Sequence, residues 1–464
     1  MFTNRVPKIS VDFFSSIYYN NSTKIKKRSD YLKIHFITFG CKVNLCETEA
    51  LKSECLSNGF EITEDETSAD IFIINSCTVT AVSDKKTRQT LNTLRKSYPN
   101  AIIVLTGCYP QAFKEQANSM QSVDIVTGTK DRKAIISLIK DYLKSNHRIV
   151  SIEEYSPQDS FEITKVGSFD SKTRGFVKVQ DGCNRFCTYC IIPYARGRLR
   201  SKSLQDITTE VESLVSNGHK EIVLVGINLM FYGVEFGTRL VDAVETCAKI
   251  SGVERIRLGS LEPEVITDDD LIRLSKIEKF CPQFHLSLQS GCDKTLKDMN
   301  RAYTSSEYYE LVSKIRKIFP NSAITTDVMV GFPNETLEDF NTSLKFVEKV
   351  GFAKVHIFPY SRRSGTPADK MKNQLTKTEK QERVKQMSIV AQKTQAEFLK
   401  SQVGKVFPVL FERENEDNFH HGYTPNYTLV KIPRENIEKS LRKSIFYVKI
   451  EVCKDDYCIG SIVE

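Results

Sequence analysis

No stretch of this chain is apolar for long enough to cross a bilayer, which argues against a membrane protein. The opening residues, MFTNRVPKISVDFFSSIYYNNSTKIKKRSD, lack the uninterrupted hydrophobic segment of a secretion signal and read as a poorly ordered extension, residues 1–32, of a cytoplasmic protein. Internal repeats at solenoid periods and low-complexity tracts are also missing. Charge of one sign is only slightly in excess: 66 basic against 58 acidic residues leave +8, too little to establish nucleic-acid binding yet compatible with a polyanionic partner. A regular pairing of cysteines is absent as well. The 13 cysteines are odd in number and irregular in spacing, which excludes a secreted disulfide framework and favours metal binding.

What is present reads as an α/β protein of several domains, because 464 residues exceed what one core supports. Residues 33–150 carry KIHFITFG, ADIFIINS, AIIVLTG and VDIVTG, buried strands separated by helical segments, the pattern of a doubly wound parallel sheet. Cys41, Cys77 and Cys108 each fall just past a strand end, the edge where open parallel sheets bind ligands. After a polar break, residues 170–375 show six β/α units beginning at GFVKVQ, EIVLVG, RIRLGS, FHLSLQ, ITTDVMV and KVHIFP, two short of a closed eight-stranded barrel. An open, partial (β/α)6 barrel is expected. Residues 376–401 have the spaced apolar residues of an amphipathic linking helix, and residues 402–464 four strand signals, KVFPVLFE, YTLVKIP, SIFYVKIEV and YCIGSIVE, of a small antiparallel β-barrel.

The loop DGCNRFCTYCIIPYARGR, after the first barrel strand, holds Cys183, Cys187 and Cys190 with no fourth cysteine or histidine nearby. Structural zinc takes four ligands, and a bacterial ferredoxin run supplies a fourth cysteine, so neither suits this loop. Three thiolates on a 4Fe-4S cluster leave one iron open to another ligand.

That spacing, C-x3-C-x2-C at the top of a β/α series, resembles the radical S-adenosylmethionine superfamily. The blocks FGCKVNLCETEA, NSCTVT, TGCYPQ, FVKVQDGCNRFCTYCIIPYARGRLRS, HLSLQSGCDKTLKDMNR, DVMVGFPNET and FPYSRRSGTPA, in this order, resemble the methylthiotransferases within it. GCKVN and GYTPNYTLV are closest to the branch that acts on N6-threonylcarbamoyladenosine beside the tRNA anticodon. The C-terminal barrel resembles the RNA-gripping TRAM module.

The resemblance implies an enzyme with two 4Fe-4S clusters. Cys183, Cys187 and Cys190 would hold the cluster that cleaves S-adenosylmethionine to a 5′-deoxyadenosyl radical, which takes the C2 hydrogen of the modified adenosine. Cys41, Cys77 and Cys108 would hold an auxiliary cluster that carries the sulfur. It further implies tRNA as partner, through the anticodon stem-loop of ANN-decoding species, an electron donor such as flavodoxin or ferredoxin, and a monomer. Tyr189, Gly226, Asn228, Ser260, Gln289, Arg301 and Gly331 are the expected S-adenosylmethionine pocket, set against a bland reading as turn, capping and packing residues. Two rivals stand beside this one: the same chemistry on isopentenyladenosine or a ribosomal-protein aspartate, and a non-enzymatic iron–sulfur protein that binds tRNA or transfers electrons.

Other features have weaker claims. Arg196, Arg198, Arg200 and Lys202 offer cations to tRNA phosphates or a carboxylate, unless they are a solvated charged face. Cys46, Cys55, Cys247, Cys281, Cys292, Cys453 and Cys458 read as core or inert thiols. His420 and His421 read as a surface loop of the last barrel. Leu45 and Cys46 stand where the branch has Gln-Tyr, and Asn334 where it has glycine, a substitution that a left-handed turn tolerates.

Overall fold

Two hexapeptides with every residue buried, β3 (Ile71–Ser76) and β4 (Ile102–Gly107), form the middle of the first sheet, as strands covered on both faces do. They belong to a computed structural model that describes residues 31–463 except 165, 168, 170, 171, 413–416 and 438. The expected extension, residues 1–32, lies outside the described residues apart from its last two. Around the central pair run β1 (Lys33–Thr38), β2 (Glu61–Ile62), β5 (Ile125–Thr127) and β6 (Ile149–Ser151), all parallel, in the order β2-β1-β3-β4-β5-β6. Strand order reverses between β1 and β3, the crevice where such sheets bind ligands. Cys41 follows β1 and Cys77 follows β3, so both stand at this crevice.

The six expected barrel strands are β7 (Gly175–Asp181), β9 (Glu221–Gly226), β10 (Arg255–Leu258), β12 (Gln283–Leu286), β13 (Ala323–Val330) and β14 (Lys354–Pro359). Two short strands, β8 (Arg200–Ser201) and β11 (Ser260–Leu261), add to them. The wall consists of two four-stranded sheets, β10-β9-β7-β8 and β11-β12-β13-β14, joined between β10 and β12 by an isolated bridge, Ile256 to Phe280. It stays open. Helix α1 (Lys42–Ser57) of the N-terminal layer packs on β7: the Cys46 thiol donates to Phe176 O at 3.6 Å, and Lys178 Nζ reaches Glu47 at 2.8 Å. Leu45 and Cys46, the pair that departs from the family pattern, thus pack against the central core.

Thr376 caps the long helix Lys377–Lys400 with a reciprocal Glu379 three residues on, matching the expected linker. Beyond it five strands close a barrel in the order β15-β16-β17-β19-β18: β15 (Val406–Phe411), β16 (Phe419–Tyr423), β17 (Leu429–Pro433), β18 (Ile445–Cys453) and β19 (Cys458–Ile462). The sequence marks four of them. The fifth, β16, contains His420 and His421, which are buried and not on a surface loop. His421 Nε2 lies 2.6 Å from Asp417 Oδ1, and His420 Nε2 lies 3.0 Å from Ile437 O, so strand pairing and local polar partners account for both rings.

The stretch GYTPNYTLV docks this barrel onto the central one. Tyr423 and Tyr427 stack at 4.6 Å, Arg174 lies 4.9 and 5.0 Å from their ring centres, and Arg257 lies 4.6 Å from that of Tyr427. Arg255 and Arg257 donate to the carbonyls of Tyr423 and Pro425 at 3.0 and 2.9 Å. All three guanidiniums, Arg174, Arg255 and Arg257, share Glu221, a carboxylate with no exposed surface.

Candidate functional site

The loop after β7 is shaped by close backbone approach. Gly182 has φ +73°, and a Cβ there would stand 1.9 Å from Arg198 O, a position open only to glycine. Cys183 N–H then donates to Gly197 O at 3.1 Å, and Thr188 N–H and Oγ1–H donate to Met299 O and Asp298 O at 3.1 and 2.8 Å. These bonds fix a loop that has no regular structure of its own. Cys183, Cys187 and Cys190 lie within electrostatic reach of one another. Burial, with Cys187 adding to it, pushes the Cys190 thiol up to about 12; burial also raises Cys183, against donation from the Arg185 backbone and from Asn228. Thiols so placed give up their protons when a bound cation takes over the charge.

Asn228 is the most informative neighbour. Its backbone N–H donates to Gln180 Oε1 at 2.7 Å, its Nδ2–H reaches Cys183 Sγ at 3.5 Å, and its Oδ1 is buried without a partner among the described residues. A buried unpaired acceptor beside a cluster thiol is what a ligand's ammonium would satisfy. Gly226 makes the approach possible, since a Cβ there would stand 2.9 Å from Gln180 Oε1. Arg301 reaches Cys187 Sγ at 3.4 Å and pairs with Glu262. Tyr189 packs edge-on to Phe332 at 6.4 Å. Ser260 is exposed at the start of β11, and Gln289, with φ +65°, bridges to β13 through bonds to Asp327 O and Met329 N. Gly331 stands apart: its φ of +72° makes a turn whose N–H donates to Glu335 at 2.7 Å, and its open side is filled by Lys380.

The second set of thiols sits at the carboxyl edge of the first sheet. Cys41 stands at the N-cap of α1, Cys77 follows β3, and Cys108 opens the helix Cys108–Ala112; Cys41 lies within electrostatic reach of Cys77, and both lie within reach of Cys108. Gly40 packs so closely on Cys77 that a Cβ would stand 2.7 Å from Cys77 Cβ. Burial pushes Cys108 up to about 12, and Arg196 opposes it. Among the described residues no three His, Cys, Asp or Glu side chains converge on a point that a single ion would occupy. A 4Fe-4S cube with one iron per thiolate asks instead for sulfurs spread around it.

Arg196 ties the two sets together. It is the sixth residue after Cys190, has no exposed surface, and donates Nε–H to Cys108 Sγ at 3.3 Å. Its Nη1 reaches Glu47 at 2.7 Å and Asp181 at 3.1 Å, and its Nη2 reaches Asn44 Oδ1 at 3.2 Å. Arg132 and Lys178 share Glu47 at 2.9 and 2.8 Å, and Arg200 lies 3.8 Å from Asp181. Burial would raise the Glu47 carboxyl, but Arg132, Arg196 and Lys178 hold it down at about 2. Four cations here, Arg132, Lys178, Arg196 and Arg200, meet three carboxylates, Glu47, Asp181 and Glu162, which leaves positive charge beside the thiols. On this ground the second set fits an iron–sulfur cluster, and the loop set fits one with Arg301 and Asn228 beside its sulfurs.

The basic run therefore needs correction. Arg196, Arg200 and Lys202 are neither a solvated face nor free for phosphate; they are buried, with Lys202 paired to Glu210, and Arg198 alone is exposed. The sequence reading missed Glu47, Asn44, Gln180 and Glu262. For Asn44 and Glu47 the signal was there, three and six residues after Cys41 and so on successive helical turns. The bland reading of Cys46, Cys55, Cys247, Cys281, Cys292 and Cys458 agrees with their burial, and Cys453 lies with its sulfur 3.4 Å from that of Cys458.

Comparison with known proteins follows the same division. Residues 177–347 match the radical SAM superfamily, and residues 33–128 match a family described as uncharacterized, UPF0004. The threonylcarbamoyladenosine tRNA methylthiotransferase MtaB of Bacillus subtilis is 36% identical over 91% of this chain and 94% of its own length. The MtaB of Aquifex aeolicus is 38% identical over 83% and 94%. A tRNA-2-methylthio-N(6)-dimethylallyladenosine synthase of Clostridium botulinum is 36% identical over 85% and 89%. Among solved structures, the radical S-adenosylmethionine methyltransferase TsrM of Kitasatospora setae superposes with a TM-score of 0.53 over 73% of this chain and 77% of that one, at 14% identity, a likeness of fold alone.

Proposed function

The chain belongs to the radical SAM tRNA methylthiotransferase family, and from that premise we propose that it places a methylthio group on C2 of N6-threonylcarbamoyladenosine beside the tRNA anticodon. The family brings a 4Fe-4S cluster and S-adenosylmethionine. When bound, the cluster supplies the electron for reductive cleavage of S-adenosylmethionine and so the radical chemistry that opens a C–H bond.

Cys183, Cys187 and Cys190 hold this cluster. Asn228 Oδ1 receives the ammonium of S-adenosylmethionine, Gly226 allows its approach, and Arg301, Ser260, Gln289 and Tyr189 complete the pocket, while Gly331 serves the turn before Glu335. Cys41, Cys77 and Cys108 hold a second, auxiliary 4Fe-4S cluster, the station of the sulfur. The observation that supports this reading is Arg196, which follows the radical loop in the chain and donates to Cys108 of the second set.

The work divides among residues 33–150, 170–375 and 402–464, with 376–401 as linker and the last barrel as the tRNA grip. A flavodoxin or ferredoxin as donor, a monomer, and a cytoplasmic setting complete the proposal; no described helix is long and apolar enough to cross a membrane. The isopentenyladenosine reading keeps a footing in the Clostridium relative. One experiment separates them: oxygen-free protein reconstituted with iron and sulfide is given tRNA, S-adenosylmethionine and dithionite, and the nucleosides are analysed by mass spectrometry. 2-Methylthio-N6-threonylcarbamoyladenosine, absent with Cys187→Ala, is the expected product; a methylthio group on isopentenyladenosine alone would move the substrate.

A further inference from the structure

The hairpin that ends the C-terminal barrel sets two cysteines face to face. Strands β18 and β19 are antiparallel and pair Cys453 with Cys458. Lys454 N–H donates to Tyr457 O at 2.8 Å across the turn at Asp455 and Asp456. Bonded and non-bonded pairs alternate along such a ladder, so the pair one step out, Cys453 with Cys458, is a non-hydrogen-bonded one, whose Cα atoms stand about 4.5 Å apart with side chains on one face. That spacing lies inside the range of about 4.4–6.8 Å that a disulfide spans. The two sulfurs already lie 3.4 Å apart.

The two thiols differ in their surroundings. Cys458 has no exposed surface and packs with Val430, Val448 and Ile450 in the barrel core. Cys453 is half-buried, and among the cysteines outside the two thiol sets it alone is not buried. Its Sγ–H donates to Leu399 O at 2.9 Å, so the hydrogen between the two sulfurs belongs to Cys458. Leu399 lies in the last turn of the helix Lys377–Lys400, and its carbonyl is one of those for which a helix end needs a donor from outside. One thiol thus reaches both solvent and the linking helix, and the second stands behind it with its hydrogen aimed at the first sulfur. Cys46 and Cys292, by contrast, give their hydrogens to oxygens of Phe176 and Asp339.

We propose that Cys453 and Cys458 form a reversible redox site, oxidised by low-molecular-weight disulfides and reduced by dithiols, whose oxidation loosens the end of the linking helix. The Cys453 thiolate, the one in reach of solvent, attacks a sulfur of the external disulfide; that S–S bond breaks, a mixed disulfide forms on Cys453 and one external thiolate leaves. The Cys458 thiolate then attacks Cys453 Sγ, which forms the internal disulfide and expels the second external thiolate. Two protein thiols are oxidised, one external disulfide is reduced to two thiols, and the protons of Cys453 and Cys458 pass to these. Oxidised Cys453 has no hydrogen left for Leu399 O. In excess thiol the pair rests reduced, as redox-sensing pairs of reducing compartments do. The site depends neither on the substrate reading nor on the clusters.

The test uses the whole chain, loaded with iron and sulfide and kept free of oxygen, treated with oxidised glutathione, blocked with iodoacetamide and digested with trypsin without reduction. Lys454 separates the two cysteines, so cleavage after it leaves Cys453 in residues 450–454 and Cys458 in residues 455–464. These two peptides are expected joined by a bond that dithiothreitol opens, with iron content unchanged. Cys458→Ser is expected to stop at a glutathione adduct on Cys453, and Cys453→Ser to carry no adduct on Cys458. Hydrogen exchange of residues 399–402 is expected to quicken on oxidation and to return on reduction. Unlinked, alkylated peptides from wild type overturn the site, and so does a glutathione adduct that persists on Cys453 of wild type, because Cys458 then fails to resolve it. A bond from Cys453 to any other cysteine overturns the pairing. Linkage with unchanged exchange overturns the coupling to the helix, and iron lost in step with linkage overturns the separation from the clusters.

Discussion

Arg196 Nε–H points at Cys108 Sγ from 3.3 Å, across the boundary between the N-terminal sheet and the central barrel. The contact joins a strand-end thiol to a residue of the radical loop's own exit segment. A buried guanidinium against sulfur withdraws electron density, and hydrogen bonds to cluster sulfurs are among the main controls of cluster potential.

Replacing Arg196 separates its two duties. Arg196→Gln leaves Glu47 and Asp181 short of a buried partner, and removal of one member of such a network costs roughly 3–5 kcal/mol. Arg196→Lys keeps the charge and removes the Nε donor. Its expected signature, read by redox titration with electron paramagnetic resonance, is a lower midpoint potential for the proposed auxiliary cluster, with the radical-loop cluster unshifted. Two unchanged potentials would show the Cys108 contact to be packing alone.

Gly40 offers a steric route to the proposed auxiliary site. At φ +110°, with an added Cβ 2.7 Å from Cys77 Cβ and 3.1 Å from its sulfur, Gly40→Ala has to displace the thiol. Iron is expected to fall from about eight to about four atoms per chain, with reductive cleavage of S-adenosylmethionine retained. Gly59→Ala is the control: its φ is +83° but nothing lies within 4 Å of the new carbon, so it costs only backbone strain, about 1–2 kcal/mol. Full iron in Gly40→Ala would remove Cys77 from the ligand set.

Asn334 stands where the family has glycine, and its φ is +65°. Its Oδ1 accepts from Asn373 Nδ2 at 3.0 Å, and its N–H donates to Asn373 O at 3.3 Å, so the side chain returns something for the left-handed backbone. Asn334→Gly is expected to stay within about 1 kcal/mol of wild type, because relief of strain offsets the lost hydrogen bond. Asn334→Ala loses the bond and keeps the strain, about 1–2 kcal/mol. Thermal midpoints of both variants decide; an Asn334→Ala as stable as Asn334→Gly would mean that the turn is not strained.

These sites differ in how far the sequence discloses them. Runs such as IFIINS and IIVLTG are unambiguous because both faces are covered, and a cysteine at the end of each run then marks the sheet edge without further information. Helix starts are equally plain: Thr267, Thr304, Thr336 and Thr376 each meet an acid three residues on, and each forms a capping box. The fate of the basic run was hidden, because Glu47, which neutralises Arg196, lies 149 residues earlier and no local pattern links them. FHHGY lacks the β-branched residues that announce a strand, so β16 emerges only from its pairing with Leu429–Pro433. The strands ITTDVMV and KVHIFP are an intermediate case: both runs are visible in the sequence, but their parallel register, with Asp327 beside His356, is set by pairing that no local pattern discloses.

Glu221 provides the acid limit of the fold. Burial would raise its carboxyl, but Arg257, Arg174 and Arg255 hold it at about 2, against an ordinary value of 4.5. Because the folded group is the stronger acid, its contribution is complete above about pH 4.5 and is lost as pH falls through that value toward 2. The depression corresponds to roughly 3 kcal/mol. Those three arginines also hold Tyr423 and Pro425, so the weakening is expected first where the last barrel meets the central one. Hydrogen exchange followed between pH 6 and pH 3 should show Tyr423–Thr428 losing protection ahead of the central strands. Glu221→Gln should show the same loss already at pH 7, with little further change on acidification. A wild-type protein that opens β3 and β4 first on acidification would place the acid-labile group in the N-terminal sheet instead.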